Sequence, residues 1–410
     1  MGSLCLEEPC YGTSATAIER IDDNQPKYIR ITDFDDFGIE ENHKYMAAES
    51  YSSKHLLRKN DIIFARTGGT VGKTYFYDGE IGPAVFAGYC IRFRFDENKV
   101  IPKFVYWYTK TDMYQKWVNG IQRPAGQPNI NKEEYKSFEI VLPSIDIQVT
   151  LTSMLERKLL EMNTKKQKAI TLIEEFEESI SNSYGLKNSD KNRLCFAIHL
   201  RDLDGVIDAK RYASVTTTTH TFVMDDVFDI VEEKVNVSRY GKQVIDWIRI
   251  DDLSNQPLDI EEIRTQPANE VEGTFFEVQE GDILVARLGP TILNQKIVMV
   301  RSLERTTIAS AEFLVLRCRH GYDPEAVMAV LKTGYYRDLM YSHARGSTPS
   351  RYRLNREDML KLPFPDIREH QEQLATAANA IRIKVKAMRA QAEQEWQAAK
   401  EQFERELLGE

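Results

Sequence analysis

"KNDIIFARTGGT" at residues 59–70 and "EGDILVARLGPT" at 280–291 are two copies of one pattern, in which Asp61, Ala65, Arg66 and Gly68 correspond to Asp282, Ala286, Arg287 and Gly289. Read alone and extended to "ARTGGTVGKTYFY" (65–77), the first copy looks like a nucleotide cradle. A phosphate-binding loop needs a glycine, four residues, then Gly-Lys-Ser/Thr running into a helix. Gly72, Lys73 and Thr74 are present, but position 67 is Thr67 and Gly68 falls one residue late. The following "TYFYDG" is aromatic, β-prone and closed by a turn signal. The second copy has no lysine at the position of Lys73. The feature common to both is therefore a strand ending in a tight glycine turn, with no cofactor site implied.

Two more blocks repeat in the same order. "KYIRITDFDD" (27–36) returns as "DWIRIDDLSN" (246–255), and "YKSFEIVLPSIDIQ" (135–148) returns as "MLKLPFPDIREHQ" (359–371), through alternating apolar residues ending in Pro143 and Pro365. Between the blocks, "PKFVYWYTKTDMYQKWV" from Pro102 and "PEAVMAVLKTGYYRDLMY" (324–341) take up helical spacing behind an initial proline. Each repeat is an α+β unit of about 140 residues, the size of an ordinary domain.

A long helical pattern follows each unit. Ile147, Leu151, Met154, Leu155, Leu159 and Met162, then Ile170, Ile173, Phe176 and Ile180, carry an apolar stripe in the first. In the second, Leu374, Ala378, Ile381, Val385, Met388, Ala392, Trp396, Ala399 and Phe403 alternate steps of three and four, the signature of a coiled-coil seam. A helix of about 35 residues rises about 50 Å, enough to hold two globular units apart. The expected order is a first unit at 1–145, a helix at 146–183, a connector at 184–221 with a Ser/Thr-rich end, a second unit at 222–366 and a helix at 367–410.

At 410 residues, 42% hydrophobic and 10% aromatic, the chain can give each unit its own core. No apolar run approaches the length of a bilayer span and no basic-then-apolar leader opens the sequence, so a cytoplasmic location is expected. Five scattered cysteines form no CxxC pair, and seven histidines form no H-E-x-x-H group, so no metal site is expected. The net charge of −9 is unusual for a nucleic-acid partner, but its distribution is uneven. "HARGSTPSRYRLNR" (343–356) holds Arg345, Arg351, Arg353 and Arg356 without an acid, whereas "LIEEFEESI" (172–180) and "DIEEI" (259–263) concentrate negative charge. The same arginine run also reads as a solvated loop.

With unit, helix, unit, helix in that order, and with "NDIIFARTGGTVGK", "GDILVARLG", "LPSIDIQ" and "FPDIREHQEQL" at corresponding places, the sequence resembles the specificity subunits of type I restriction–modification systems. The resemblance implies two target-recognition domains, each reading one half of a split double-stranded DNA site. It further implies an antiparallel coiled coil of the two long helices that spaces the halves, and docking of DNA adenine methyltransferase subunits and a restriction or translocase subunit. A recognition or scaffold subunit of another phage-defence DNA-modification assembly is the alternative.

The residues suited to DNA lie in the loop before the last strand of each unit. "NGIQRPAGQPNINK" (119–132) offers Gln122, Arg123, Gln127, Asn129 and Lys132; "ARGSTPSRYRLNR" (344–356) offers Arg345, Ser347, Thr348, Arg351, Arg353 and Arg356. Arg pairs bidentately with guanine and Asn or Gln with adenine, while Lys and Ser/Thr hold phosphate. "YGTSATA" (11–17), with Thr13 and Ser14, resembles a further contact loop and also reads as an ordinary turn. No Pro-Pro pair occurs, so the base-holding loop of amino methyltransferases is missing, and methyl transfer belongs to another chain. The nearest nuclease-like cluster, Asp225, Asp226, Asp229, Glu233 and Lys234, has no equivalent in the first repeat and reads as a solvated face. The chain is thus expected to be non-catalytic.

Overall fold

The computed structural model describes residues 1–35, 37–39, 43–122, 128–187 and 222–409. Two compact units result, Met1–Lys165 with Ala390–Glu410, and Lys166–Arg389. Each is mixed helix and strand, and each contains a four-stranded antiparallel sheet and a second sheet, four-stranded in the first unit and five-stranded in the second. In the first unit a four-stranded antiparallel sheet runs in the order Cys10–Tyr11, Cys90–Phe93, Asp61–Ala65, Thr74–Tyr77. In the second the order is Phe228–Ile230, Phe313–Cys318, Ile283–Ala286, Ile297–Met299. The other sheet of each unit contains a parallel pair, Lys27–Ile29 beside Ala84–Phe86 and Val244–Ile248 beside Thr307–Ala309. The strand over the repeated motif sits inside its sheet with all of Asp61–Ala65 and Ile283–Ala286 buried, which explains its continuous apolar run.

The repeated aspartate opens this strand. Asp61 accepts the backbone N–H of Arg58 (2.7 Å) and pairs bidentately with Arg94 (2.7 Å to each oxygen); Asp282 does the same with Gln279 N–H (2.9 Å) and with Arg317 (2.8 and 2.7 Å). Each carboxylate therefore caps a turn and staples two neighbouring strands. At the far end the glycine turn returns to the sheet, Ala65 N–H reaching Lys73 O (2.9 Å) and Gly72 N–H reaching Ala65 O (3.0 Å). Gly72 has φ +87°, and a Cβ there would lie 2.7 Å from Val118. The stretch is a hairpin turn, with Gly68–Thr70 forming one 3₁₀ turn before the strand Thr74–Tyr77. In the second unit Ala286 N–H reaches Lys296 O (3.0 Å), so Lys296 is the counterpart of Lys73, delayed by the short helix Gly289–Leu293. Its apparent absence from the second copy was a matter of spacing.

The helical pattern after Pro102 breaks in two, Pro102–Tyr108 and Asp112–Ile121, as does its repeat, Pro324–Leu331 and Gly334–His343. Thr111 caps the second helix of the first pair by accepting the Tyr114 N–H (3.4 Å), and buried Lys110 donates to Thr74 O (3.1 Å). The strand expected to end at Pro143 is not formed. Lys132–Ser137 is a helix, as its counterpart Arg356–Leu360 is, and the stretch after it pairs with no strand among the described residues. In the second unit the partner exists, and Pro363–Phe364 pairs with Phe222–Val223.

The long helices are Ile145–Ser183 and Gln371–Leu408. Within the first unit Leu151, Leu155 and Met162 share a core with Ala392, Trp396, Ala399 and Phe403, and Lys165 pairs with Glu395 (2.6 Å). Within the second, Ile180 shares a core with Ala378, with Phe176 and Leu374 packed against it. Val385 is fully buried. Ile147 and Ile170, expected in the stripe, are 45% and 37% exposed, and Ala169 is buried instead. The connector at 184–221 lies outside the described residues from 188 onward. Among the described residues no helix is long and apolar enough to cross a membrane.

Candidate nucleic-acid interface

In the first unit the two stretches singled out for DNA meet at a residue of the repeated motif. Arg66 leaves the buried strand at Ala65, and its guanidinium lies over the Tyr11 ring (4.9 Å to the centroid). Its Nη2 donates to Asn129 Oδ1 (3.1 Å), and Tyr11 Oη accepts the Lys132 N–H (3.2 Å). The backbone seals the junction, with Ile130 N–H to Arg66 O (2.8 Å) and Gly68 N–H to Pro128 O (3.1 Å). Arginine can only donate, so the Asn129 oxygen is the atom turned inward, which leaves its NH₂ group as the free end. An adenine-type bidentate contact from Asn129 would compete with this bond.

Asn129 and Ser14 are exposed, and Gln122 and Lys132 half-buried. Lys132 is held by Glu8 (2.8 Å), an exposed pair of small energetic weight. Thr13 is a structural residue. It is buried, its hydroxyl donates to Ser50 O (3.0 Å) and it accepts the Ala15 N–H (3.3 Å), so no hydroxyl remains for a ligand. Arg123 and Gln127 lie outside the described residues.

The second unit shapes its loop more tightly. Arg345 and Arg353 exchange backbone hydrogen bonds (3.0 and 2.8 Å), and the loop they close contains the turn Pro349–Arg351. Gly346 permits this, since a Cβ would lie 2.4 Å from Arg351 O. The loop is not the acid-free patch that its sequence suggests: Arg345 pairs with Asp358 (2.9 Å), Arg353 with Glu312 (3.0 Å) and Arg356 with Glu232. These carboxylates come from other elements and offset three of the four charges. Arg351 is exposed and its guanidinium has no partner among the described residues, and Ser347 and Thr348 are exposed beside it. Arg287 mirrors Arg66: its Nη2 donates to Asn355 Oδ1 (3.3 Å), with Leu354 N–H to Arg287 O (2.9 Å) and Gly289 N–H to Tyr352 O (2.8 Å).

Arg66 and Arg287 were absent from the residues that the sequence nominated, although their presence in both copies was the available signal. The acid run at 225–234 is a surface network in which Arg319 holds Asp225 (3.2 Å) and Asp229 (2.9 Å) and Asp226 accepts the Val223 N–H (3.0 Å). Among the described residues no group of three or more His, Cys, Asp or Glu is arranged to hold a metal.

Residues 12–172 match the family model of the type I restriction modification DNA specificity domain. The type I restriction enzyme StySPI specificity subunit of Salmonella potsdam is 24% identical over 191 residues, 44% of this chain and 40% of that protein. The match thus spans two fifths of the curated relative's length. Among solved structures, one from work on complex assembly and conformational transition of the type I R-M system aligns over 98% of this chain and 95% of its own, with 13% identity and a TM-score of 0.49. The HsdS subunit of Thermoanaerobacter tengcongensis aligns over 98% and 94%, with 14% identity and a TM-score of 0.38. The S subunit of M. genitalium aligns over 97% and 92%, with 11% identity and a TM-score of 0.41. The junction at Arg66 lies within the stretch that matches the DNA specificity domain. The match of the family model is confined to residues 12–172, within the first unit and the start of its long helix.

Proposed function

We propose that this chain is a non-catalytic subunit that reads a bipartite, asymmetric double-stranded DNA site and delivers it to DNA adenine methyltransferase and restriction subunits. The observation that carries the reading is the duplicated junction, in which a buried strand delivers an arginine to a polar loop at the same place in both units. The two loops differ in content, "QRPAGQPNIN" against "RGSTPSRYRL", so the half-sites differ. On this reading the target-recognition domains are residues 1–145 and 222–366. Ser14, Gln122, Asn129 and Lys132 face one half-site, with Arg123 and Gln127 on the same loop, and Arg345, Ser347, Thr348, Arg351, Arg353 and Arg356 face the other. The helices at 146–183 and 367–410 run antiparallel as a coiled-coil spacer that also docks the methyltransferases. The contacts of Lys165 with Glu395, and of Phe176 and Ile180 with Leu374 and Ala378, support that pairing.

The test is selection of duplexes from a randomised library by the chain together with its methyltransferase. Two short preferred sequences separated by a fixed indifferent spacer are expected. A single contiguous preference, or none, defeats the reading.

A further inference from the structure

Resting on the DNA-reading function above, we propose that Arg66 and Arg287 are equivalent phosphate anchors, one in each unit, that grip the DNA backbone without regard to sequence. Three observations lead there. Both arginines stand half-exposed where the buried strand ends, and neither meets a carboxylate among the described residues. Arg345, Arg353 and Arg356, in contrast, are each paired with an acid. In a chain of net charge −9, a cation left uncompensated at the same place twice marks where an anion is received.

Second, most of each guanidinium's hydrogen-bonding capacity is unused. Of the five N–H groups an arginine carries, the side-chain bond found here engages one, from Nη2 to an asparagine oxygen, and Nε is buried without a partner in both copies, which leaves the other three N–H groups, on the Nη atoms, to meet an anion. Third, the two units orient the arginine by different means. Asn131 and Asn355 occupy equivalent places before a short helix. Asn131 caps its helix by accepting the Glu134 N–H (3.0 Å), and Arg66 is held by Asn129 instead. Asn355 makes no side-chain cap, and its oxygen accepts from Arg287. The supporting residue differs while the held arginine does not.

That constancy separates phosphate from base. Base contacts must differ between units that read different half-sites, whereas phosphate contacts position the protein and carry no sequence information. Arg66 and Arg287 persist amid loops that otherwise share little, as sequence-independent contacts should.

The experiment measures affinity of the full chain with its methyltransferase for a selected duplex and for a random-sequence duplex over a salt series. Arg66→Gln and Arg287→Gln remove the charge and keep an amide that can still donate to the asparagine. Each variant should weaken binding to both duplexes by the same factor. Each should also flatten the slope of log affinity against log salt by about 0.9, so that a fourfold rise in salt costs it roughly 3.5-fold less affinity than wild type. The double variant should flatten the slope by about twice that. An unchanged slope with a wild-type melting midpoint overturns the proposal, as does a loss confined to the selected duplex with altered base preference. Where a Gln variant melts early, the Arg→Lys variant decides: a restored slope supports the anchor, and a slope that stays shallow refutes it. Failure of wild type to bind either duplex would instead defeat the DNA-reading function itself.

Discussion

Replacing Asp61 with Asn should open the first unit far more than the equivalent Asp282→Asn opens the second. Both carboxylates hold an arginine bidentately across neighbouring strands, and both are buried (0% and 1% exposed). Their partners differ: the Arg94 side chain is 10% exposed, that of Arg317 40%. Removing one partner of a buried pair costs about 3–5 kcal/mol, because the remaining charge is stranded away from water. Arg94 keeps Glu7 (2.7 Å), which places the expected cost near the lower end, about 3 kcal/mol. Arg317 can rehydrate, so Asp282→Asn should cost about 1 kcal/mol, nearer to a lost surface pair and one hydrogen bond. The native cysteines report each unit separately. Cys90 is fully buried opposite Ala65 in the strand next to Asp61, and Cys318 ends the strand that carries Arg317. With thiol labelling read peptide by peptide, Asp61→Asn should speed Cys90 modification roughly 150-fold, at about 1.4 kcal/mol per decade, and Asp282→Asn should speed Cys318 by about fivefold. Equal accelerations, or less than tenfold at Cys90, would refute the argument from burial.

Three further outcomes follow from single sites. Gly72→Ala should destabilise the first unit by roughly 2–4 kcal/mol in a denaturant titration, since it combines a left-handed φ with a Cβ 2.7 Å from Val118, while Gly69→Ala, which meets nothing within 4 Å, should be close to neutral. Val385→Asp places a charge at a fully buried site and should cost several kcal/mol; an unchanged melting curve would show that this side chain is not enclosed. Burial pushes the Glu177 carboxyl up to about 7, with Lys332, itself pushed down to about 8 by burial, as the nearest opposing charge. A carboxyl raised in the folded state stabilises most below its unfolded pKa of about 4.5, and that contribution is lost as pH rises through 7. Melting of Glu177→Gln should therefore lack the wild-type fall of about 2–3 kcal/mol between pH 4.5 and 7.

The amino-acid sequence by itself determined the duplication, the α+β character of each copy and the two long helices. These are properties of period: apolar runs bounded by turns, and steps of three and four, are set by backbone geometry and survive any tertiary arrangement. It also disposed of the nucleotide cradle, because the first copy misses the glycine spacing by one residue and the second has no Gly-Lys-Thr. Tertiary structure decided where charge is available. The arginines at 353 and 356 looked free because sequence shows only neighbours along the chain, while the acids that pair with them, Glu312 and Glu232, lie far off in sequence; Asp358, which pairs with Arg345, follows the loop directly, and only the fold turns it back. Thr13 looked like a contact and is buried, and Arg66 looked like a strand end and stands where Tyr11 and Asn129 converge. The strand missing before Pro143 has the same origin, since a strand exists only where another is placed to pair with it, as Phe222–Val223 is for Pro363–Phe364.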